Sequence, residues 1–200
     1  MTTVDSNEEL GRRDRKKLET RAALERAALT LVAERGLAGV TVEDIAEAVD
    51  VSSRTFFNYF PSKEDALIGR NRMVGAELKE RLAGVPSGVP ALDALRLVLR
   101  EQAVQVQDQR EWWMLRLKVL EQNPSLLPHL ISGGVETELL LTGLIAERVG
   151  DDGYAHLVTA VSLAAFRATM MRWSSGDGVP KLVVLLDEAF ARLADGLSTP

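Results

Sequence analysis

The chain contains no cysteine in its 200 residues. Disulfides, cysteine nucleophiles and thiolate metal centres are therefore excluded, and a reducing compartment suits the composition. Long apolar runs are also missing. None approaches the roughly 18–20 residues that a bilayer span needs. The opening MTTVDSNEELGRRDRKK has no apolar stretch of the secretory-signal kind. The expectation is a soluble cytoplasmic protein with no membrane partner. Strand-like alternation persists nowhere. No close carboxylate pair, Ser/His/Asp set or phosphate-cradling glycine loop occurs in a supporting context, which argues against an enzyme. The two histidines, His129 and His156, are isolated, so no metal and no cofactor is expected.

Aromatic residues are scarce at 5% of the chain, yet four of them crowd into one run, VSSRTFFNYFPSK, residues 51–63. Net charge is also unhelpful at first sight. At −5 it argues mildly against a nucleic-acid binder, since such domains are usually basic. The charge is uneven, however. Residues 12–26 carry seven basic side chains against three acidic ones. Phosphate binding depends on local charge, because counterions are released at the contact surface.

What is present is helical spacing, which recurs along the whole chain. From about 13 to 35, Leu24, Ala27, Ala28, Leu31 and Val32 share one helix face, and Gly36 stops the helix. Thr41-Val-Glu-Asp44 resembles a capping box with Asp in place of Glu. It opens a short stripe of Val42, Ile45, Ala46 and Val49. A break at Asp50-Val51-Ser52 leads into a second short helix, about 53–60. Pro61-Ser-Lys-Glu-Asp65 ends that helix and caps a long one running to about Leu82. The linker Gly84–Pro90 marks a boundary. Further helices are expected at about 90–108, 110–121, 125–149 (with a possible break at Ser132-Gly-Gly134), 152–174 and 180–197. The fold class is all-α, with about nine helices.

A short helix, a tight turn and a second short helix, braced by a preceding one, is the helix-turn-helix plan. On the second short helix Phe56 and Phe60 fall on one face, placed to pack against Leu31, Ile45 and Val49. Phe57 and Tyr59 flank that face, and Ser53, Arg54, Thr55 and Asn58 fill the free arc. Arg suits guanine, Thr suits a thymine methyl, and Tyr can donate to phosphate. The alternative is that Phe57 and Tyr59 simply pack on neighbouring helices.

The stretch Leu24–Leu67, with LTLVAERG, GVTVEDIAEAVDVS and RTFFNYFPSKEDAL at this spacing, resembles the TetR family of bacterial regulators. The resemblance implies a flexible N-terminus at 1–10, a DNA-binding domain at 11–77 and an effector-binding and dimerisation domain at 78–200. It implies base contacts from Ser53, Arg54, Thr55 and Phe57. Phosphate contacts would come from Thr41, the Val42 backbone, Tyr59 and Lys63. The basic segment, through Arg13, Lys16, Lys17 and Arg21, either adds DNA contacts or forms a solvated helix start. One departure stands out: the family commonly has Gly in the turn where this chain has Asp50, a residue that tolerates left-handed backbone better than most.

The last two helices suit pairing with a second copy. Leu182, Leu185, Leu186, Ala189, Phe190 and Leu193 form one broad stripe. Leu157, Val158, Val161, Ala164, Ala165 and Ala168 form another on the helix before. Such hairpins build isologous four-helix bundles, or else they are ordinary core. The expected dimer face is Leu157, Val161, Ala165, Ala168, Leu182, Leu186, Phe190 and Leu193. Trp112, Trp113, Phe166, Met170 and Trp173 are candidates for an effector pocket, though the same spacing also serves plain core. Arg116, Arg167 and Arg172 could meet an anionic ligand or simply face water.

The sequence thus points to a homodimeric regulator that binds a pseudo-palindromic operator in double-stranded DNA, most simply a repressor released by a small molecule. The competing reading is a helical ligand-binding or protein-interaction module with a vestigial helix-turn-helix.

Overall fold

The computed structural model describes the backbone of residues 3–69, 74–175 and 179–196, and the side chains in those spans except 3–14 and 74–76. Among the described residues there are ten α-helices, two short 3₁₀ turns and no strand. The chain divides into two compact units. One holds residues 1–72 and 115–130, the other 73–114 and 131–200.

The first unit is built on α1 (Thr3–Arg35), α2 (Val42–Glu47), α3 (Ser53–Tyr59) and α4 (Lys63–Ile68), with a 3₁₀ turn at Leu37–Gly39. Helix α1 begins about ten residues before the expected start; its opening residues are polar and carry no apolar stripe from which periodicity could place them. Its core joins Leu24, Leu29 and Val32 of α1 to Val40, Ile45, Phe56, Phe60 and Leu67. The later segment 115–130 completes this core through Val119 and Leu126.

Within that unit Arg116 donates from Nε to the Leu67 carbonyl and from Nη2 to Glu25, each at 3.0 Å. The guanidinium is therefore neither solvated nor waiting for a ligand. It satisfies a carbonyl that the end of α4 leaves open. Gly69 closes α4 in a left-handed conformation, φ 76°. A Cβ there would lie 2.8 Å from an Arg116 nitrogen. The single helix expected from Lys63 to Leu82 is thus two, α4 and α5 (Val74–Ala83).

The second unit contains α5, α6 (Ala91–Asp108), α9 (Asp152–Ser174) and α10 (Leu182–Asp195). It also takes the opening of α7 (Arg110–Gln122) and most of α8 (Leu127–Val149). Helix α8 runs unbroken through Ser132-Gly133-Gly134, where Thr137 donates to the Gly133 carbonyl at 2.9 Å. Leu141 and Ile145 of α8 pack with Leu95 and Val98 of α6 and with Ala155 and Val158 of α9. A second cluster joins Leu99 and Ala103 of α6 to Met170 and Trp173 of α9 and to Leu182, Leu185, Leu186 and Phe190 of α10. Asp187 locks α10 to α6, accepting from Arg96 Nη1 and Arg100 Nε at 3.0 Å each. Arg148 donates to the carbonyls of Val85, Pro86 and Val89, holding the loop before α6.

Candidate nucleic-acid interface

The recognition elements are short and depend on their caps. Thr41 and Asp44 form a reciprocal capping box on α2. The Asp44 amide donates to Thr41 Oγ1 at 3.1 Å, and the Thr41 amide donates to Asp44 Oδ2 at 2.7 Å. The Thr41 hydroxyl, and after it the Thr41 amide, hold the Asp44 carboxyl below its usual range; desolvation opposes them and Arg35 adds a lesser lowering. A lowered carboxyl pKa means that this contribution to stability is full above the unfolded value. It is lost as pH falls through the folded one. Asp thus serves at the position where the box usually has Glu.

The turn between α2 and α3 has Asp50 at φ 54°, a left-handed backbone, and the Val51 amide donates to the Ala46 carbonyl at 3.0 Å. The Gly-to-Asp departure therefore leaves the turn's conformation in place. Left-handed backbone strains most side chains and suits Gly. Asp50→Gly is expected to stabilise the protein, and Asp50→Ala to destabilise it, each by roughly 0.5–1 kcal/mol in urea unfolding.

Ser52 caps α3 by accepting from the Thr55 amide at 3.1 Å, and its hydroxyl lies 2.9 Å from that of Thr55. The helix ends at Phe60, whose backbone is extended, and Pro61 follows. Phe56 and Phe60 are both 0% exposed, with ring centroids 5.5 Å apart. They hold one face of α3 in the core. Arg54, Phe57 and Asn58 are exposed on the rest of the helix, while Ser53, Thr55 and Tyr59 are half-buried. Phe57 is 45% exposed and meets Phe56 edge to face. Tyr59 packs along the rim of the core.

Of the residues expected at phosphates, Thr41 is exposed and Val42 half-buried. Lys63 has a structural task that spacing did not reveal. Its Nζ donates to the carbonyls of Leu37 at 2.8 Å and Val40 at 2.7 Å, tying α4 to the loop before α2. An ammonium has three donors, so one remains beyond these two bonds. Lys16 and Lys17 are exposed on α1. Arg21 lies 3.7 Å from Glu25, the residue that also receives Arg116. The Arg13 side chain lies outside the described residues.

The sequence relatives decide what this geometry belongs to. The family described as "Bacterial regulatory proteins, tetR family" matches residues 25–68, and the one described as "MftR C-terminal domain" matches residues 89–198. The chain belongs to the TetR family of bacterial regulators. It is a sequence-specific DNA-binding transcriptional regulator. It is similar to the HTH-type transcriptional regulator TcmR of Streptomyces glaucescens, 32% identical over 173 residues, covering 82% of this chain and 76% of that protein. Among solved structures it shares its fold with FadR of Thermus thermophilus, a TetR-family repressor in complex with lauroyl-CoA. There the identity is 24%, the TM-score 0.54, and the match covers 90% of this chain and 96% of that one. FadR of Bacillus subtilis, in complex with stearoyl-CoA, is 20% identical at a TM-score of 0.54, covering 88% of this chain and 98% of that one. No helix among the described residues is long and apolar enough to cross a membrane.

The remaining candidates of this TetR-family chain fall in the second unit. Met170 and Trp173 are buried in its core, with Trp113 and Phe166 packed against them, and Trp112 is half-buried. The Arg110 guanidinium lies 4.7 Å from the Trp173 ring centroid and donates to the Trp173 carbonyl. Trp113, Phe166, Met170 and Trp173 thus share one apolar cluster. A cavity of about 270 Å³ lies elsewhere in the unit, lined by Lys79, Leu82, Ala83, Leu144, Glu147 and Arg148.

The expected dimer face separates into two sets. Leu182, Leu186 and Phe190 are buried in the chain's own core, and Ala165 and Leu193 pack against that core. The first three cannot also meet a partner. Their stripe is the strongest in α10, and for that reason the subunit itself uses it. Val161 is half-buried, and Leu157 and Ala168 are exposed. They share the outer face of α9 with Ala164 and with Met171, which is 74% exposed.

Proposed function

We propose that this regulator is a cytoplasmic repressor that binds a pseudo-palindromic operator as a homodimer and is released by a small-molecule effector. The observation that carries it is the two-sided α3. Phe56 and Phe60 are fully buried, while Arg54, Phe57 and Asn58 stand exposed on the remaining arc. A seven-residue helix anchored by two rings is rigid enough to enter a major groove, with side chains left over to read it. In this reading Ser53, Arg54, Thr55 and Phe57 meet bases. Thr41, the Val42 amide and Tyr59 meet phosphates, and Lys63 uses its remaining donor. Lys16 and Lys17 extend the basic surface.

Two copies would pair through the outer face of α9, with Val184 and Ala191 of α10 alongside. A pseudo-palindromic operator read by two α3 helices needs them about one DNA turn, ~34 Å, apart. The FadR structures hold acyl-CoA in the same overall fold. By analogy the second unit of this chain takes an apolar small molecule, with a coupling of about 1–3 kcal/mol between effector and operator.

Gel shift against DNA upstream of the protein's own gene tests the core of this reading. Salt-sensitive, specific binding is expected, and its absence on every genomic fragment would sink the proposal. Arg54→Ala is expected to weaken operator binding by about 1–3 kcal/mol and to relax preference at one base position. Binding-site selection with the variant reads this out, and an unchanged preference would place Arg54 outside the groove.

A further inference from the structure

We propose that Arg116 is a positioning residue for operator binding: it touches no DNA, yet it fixes the attitude of α4 and, through Lys63, the start of α2. This rests on the operator-binding reading above and adds to it a residue that acts from outside the helix-turn-helix.

The carrying observation is that three elements far apart in sequence meet at one guanidinium. Arg116 of α7 donates from Nε to the Leu67 carbonyl, in the last turn of α4, and from Nη2 to Glu25 of α1, each at 3.0 Å. Its side chain is 16% exposed and that of Glu25 19%, so the guanidinium is turned inward rather than offered to a phosphate. Arg21 approaches the other Glu25 oxygen at 3.7 Å, and the carboxylate is thus shared by two cations. Gly69 leaves room for the fork, since a Cβ there would lie 2.8 Å from Arg116 Nη1.

Helix α4 needs such a hold. Six residues are too few to form a stable helix alone. Ala66 and Leu67 bury it in the core, but apolar burial is non-directional and does not by itself fix how a helix points. Direction comes from the two polar ends. At the front, Lys63 donates to the carbonyls of Leu37 and Val40. Val40 directly precedes Thr41, the N-cap of α2. At the back stands Arg116, whose planar fork sets angle as well as distance. Only Phe60, Pro61 and Ser62 separate α4 from α3. A shift at Arg116 therefore passes to both helices of the DNA-reading pair.

The test uses the full-length protein and the genomic fragment that the wild type binds in gel shift. Fluorescence anisotropy reads affinity for that fragment, and urea unfolding reads stability on the same preparations. Arg116→Met alone would leave Glu25 buried without its main partner, so the variant of choice is Glu25→Gln with Arg116→Met. It removes the donor to Leu67 and both charges of the pair, and the net charge stays the same. Replacing a buried ion pair by neutral side chains is often tolerated, so the protein should remain folded. Affinity should still fall about tenfold, as follows if the freed α4 holds the competent attitude about one-tenth of the time. The dependence of affinity on salt should match the wild type, because no phosphate contact is lost. In a Lys63→Ala background the double variant should add little, since both changes act through α4.

Unchanged affinity in the double variant, a shallower salt dependence, or a fully additive effect with Lys63→Ala would overturn the proposal. So would an affinity loss that only equals the unfolded fraction, which would show that the fork merely holds the fold. A wild-type protein that binds no genomic fragment would defeat the operator-binding reading, and this proposal with it; on a wild type that binds, the other outcomes bear on Arg116 alone.

Discussion

Phe56→Ala is expected to abolish operator binding by unfolding the recognition unit. The ring is wholly buried and touches both Phe57 and Phe60. Removing it deletes apolar burial and leaves a cavity, together costing about 3–5 kcal/mol. That is a large fraction of the 5–15 kcal/mol that holds a domain together. Helix α3 cannot make up the difference, because seven residues are too few to hold a helix in water without packing. Denaturant unfolding followed by circular dichroism should show the loss, and gel shift the missing complex.

Phe57→Ala is the contrasting case. That ring is partly exposed, so its removal should change stability by less than about 1 kcal/mol while still weakening DNA binding. If both variants lose stability equally, Phe57 belongs to the core and the bland reading of the aromatic run is correct.

Ala168→Glu should convert the protein to monomers and lower operator affinity by about 10²–10⁴. Ala168 is exposed on the outer face of α9, with Ala164 and Leu157 also exposed there. In a paired assembly that face closes against its own copy, so one substitution introduces two carboxylates into an apolar contact. Burying them unpaired is costly. The subunit itself should remain folded, because the position faces away from its core. Operator affinity falls because each α3 must then find its half-site without help from the other. Light scattering after gel filtration measures the assembly, and gel shift the affinity. A dimer that survives this change would move the interface elsewhere. Leu186→Ala should behave oppositely, with a stability loss of about 2–5 kcal/mol because the side chain is buried in its own chain.

The first unit was largely legible because its signals are local. Thr41 with Asp44, and Ser52 before a short helix, specify helix starts through bonds three residues apart. The alternation of Phe56 and Phe60 with Arg54 and Asn58 identifies the buried face by period alone. Asp50 could be recognised as a left-handed turn residue for a similar reason, since the strain is set by its own backbone. Lys63 was less legible. Its charge suggested phosphate, but its bonds reach carbonyls 26 and 23 residues earlier in the chain. Arg116 is the same case at longer range, reaching Leu67 and Glu25.

The second unit shows where periodicity runs out. Stripes in α9 and α10 were apparent, but a stripe states only that a face is apolar, not whether its own subunit or a partner covers it. Leu182, Leu186 and Phe190 went to the interior because α6 and α9 were there to receive them. Leu157 and Ala168 stayed outside because nothing among the described residues covers them.

The sequence by itself therefore determined the all-helical class, the helix-turn-helix and which face of α3 is free, since each follows from bonds and periods within a few residues. Only the tertiary structure decided that Lys63 and Arg116 serve distant carbonyls and that the strongest stripe of α10 is core. Those outcomes depend on which helices meet, and that depends on side chains far apart along the chain.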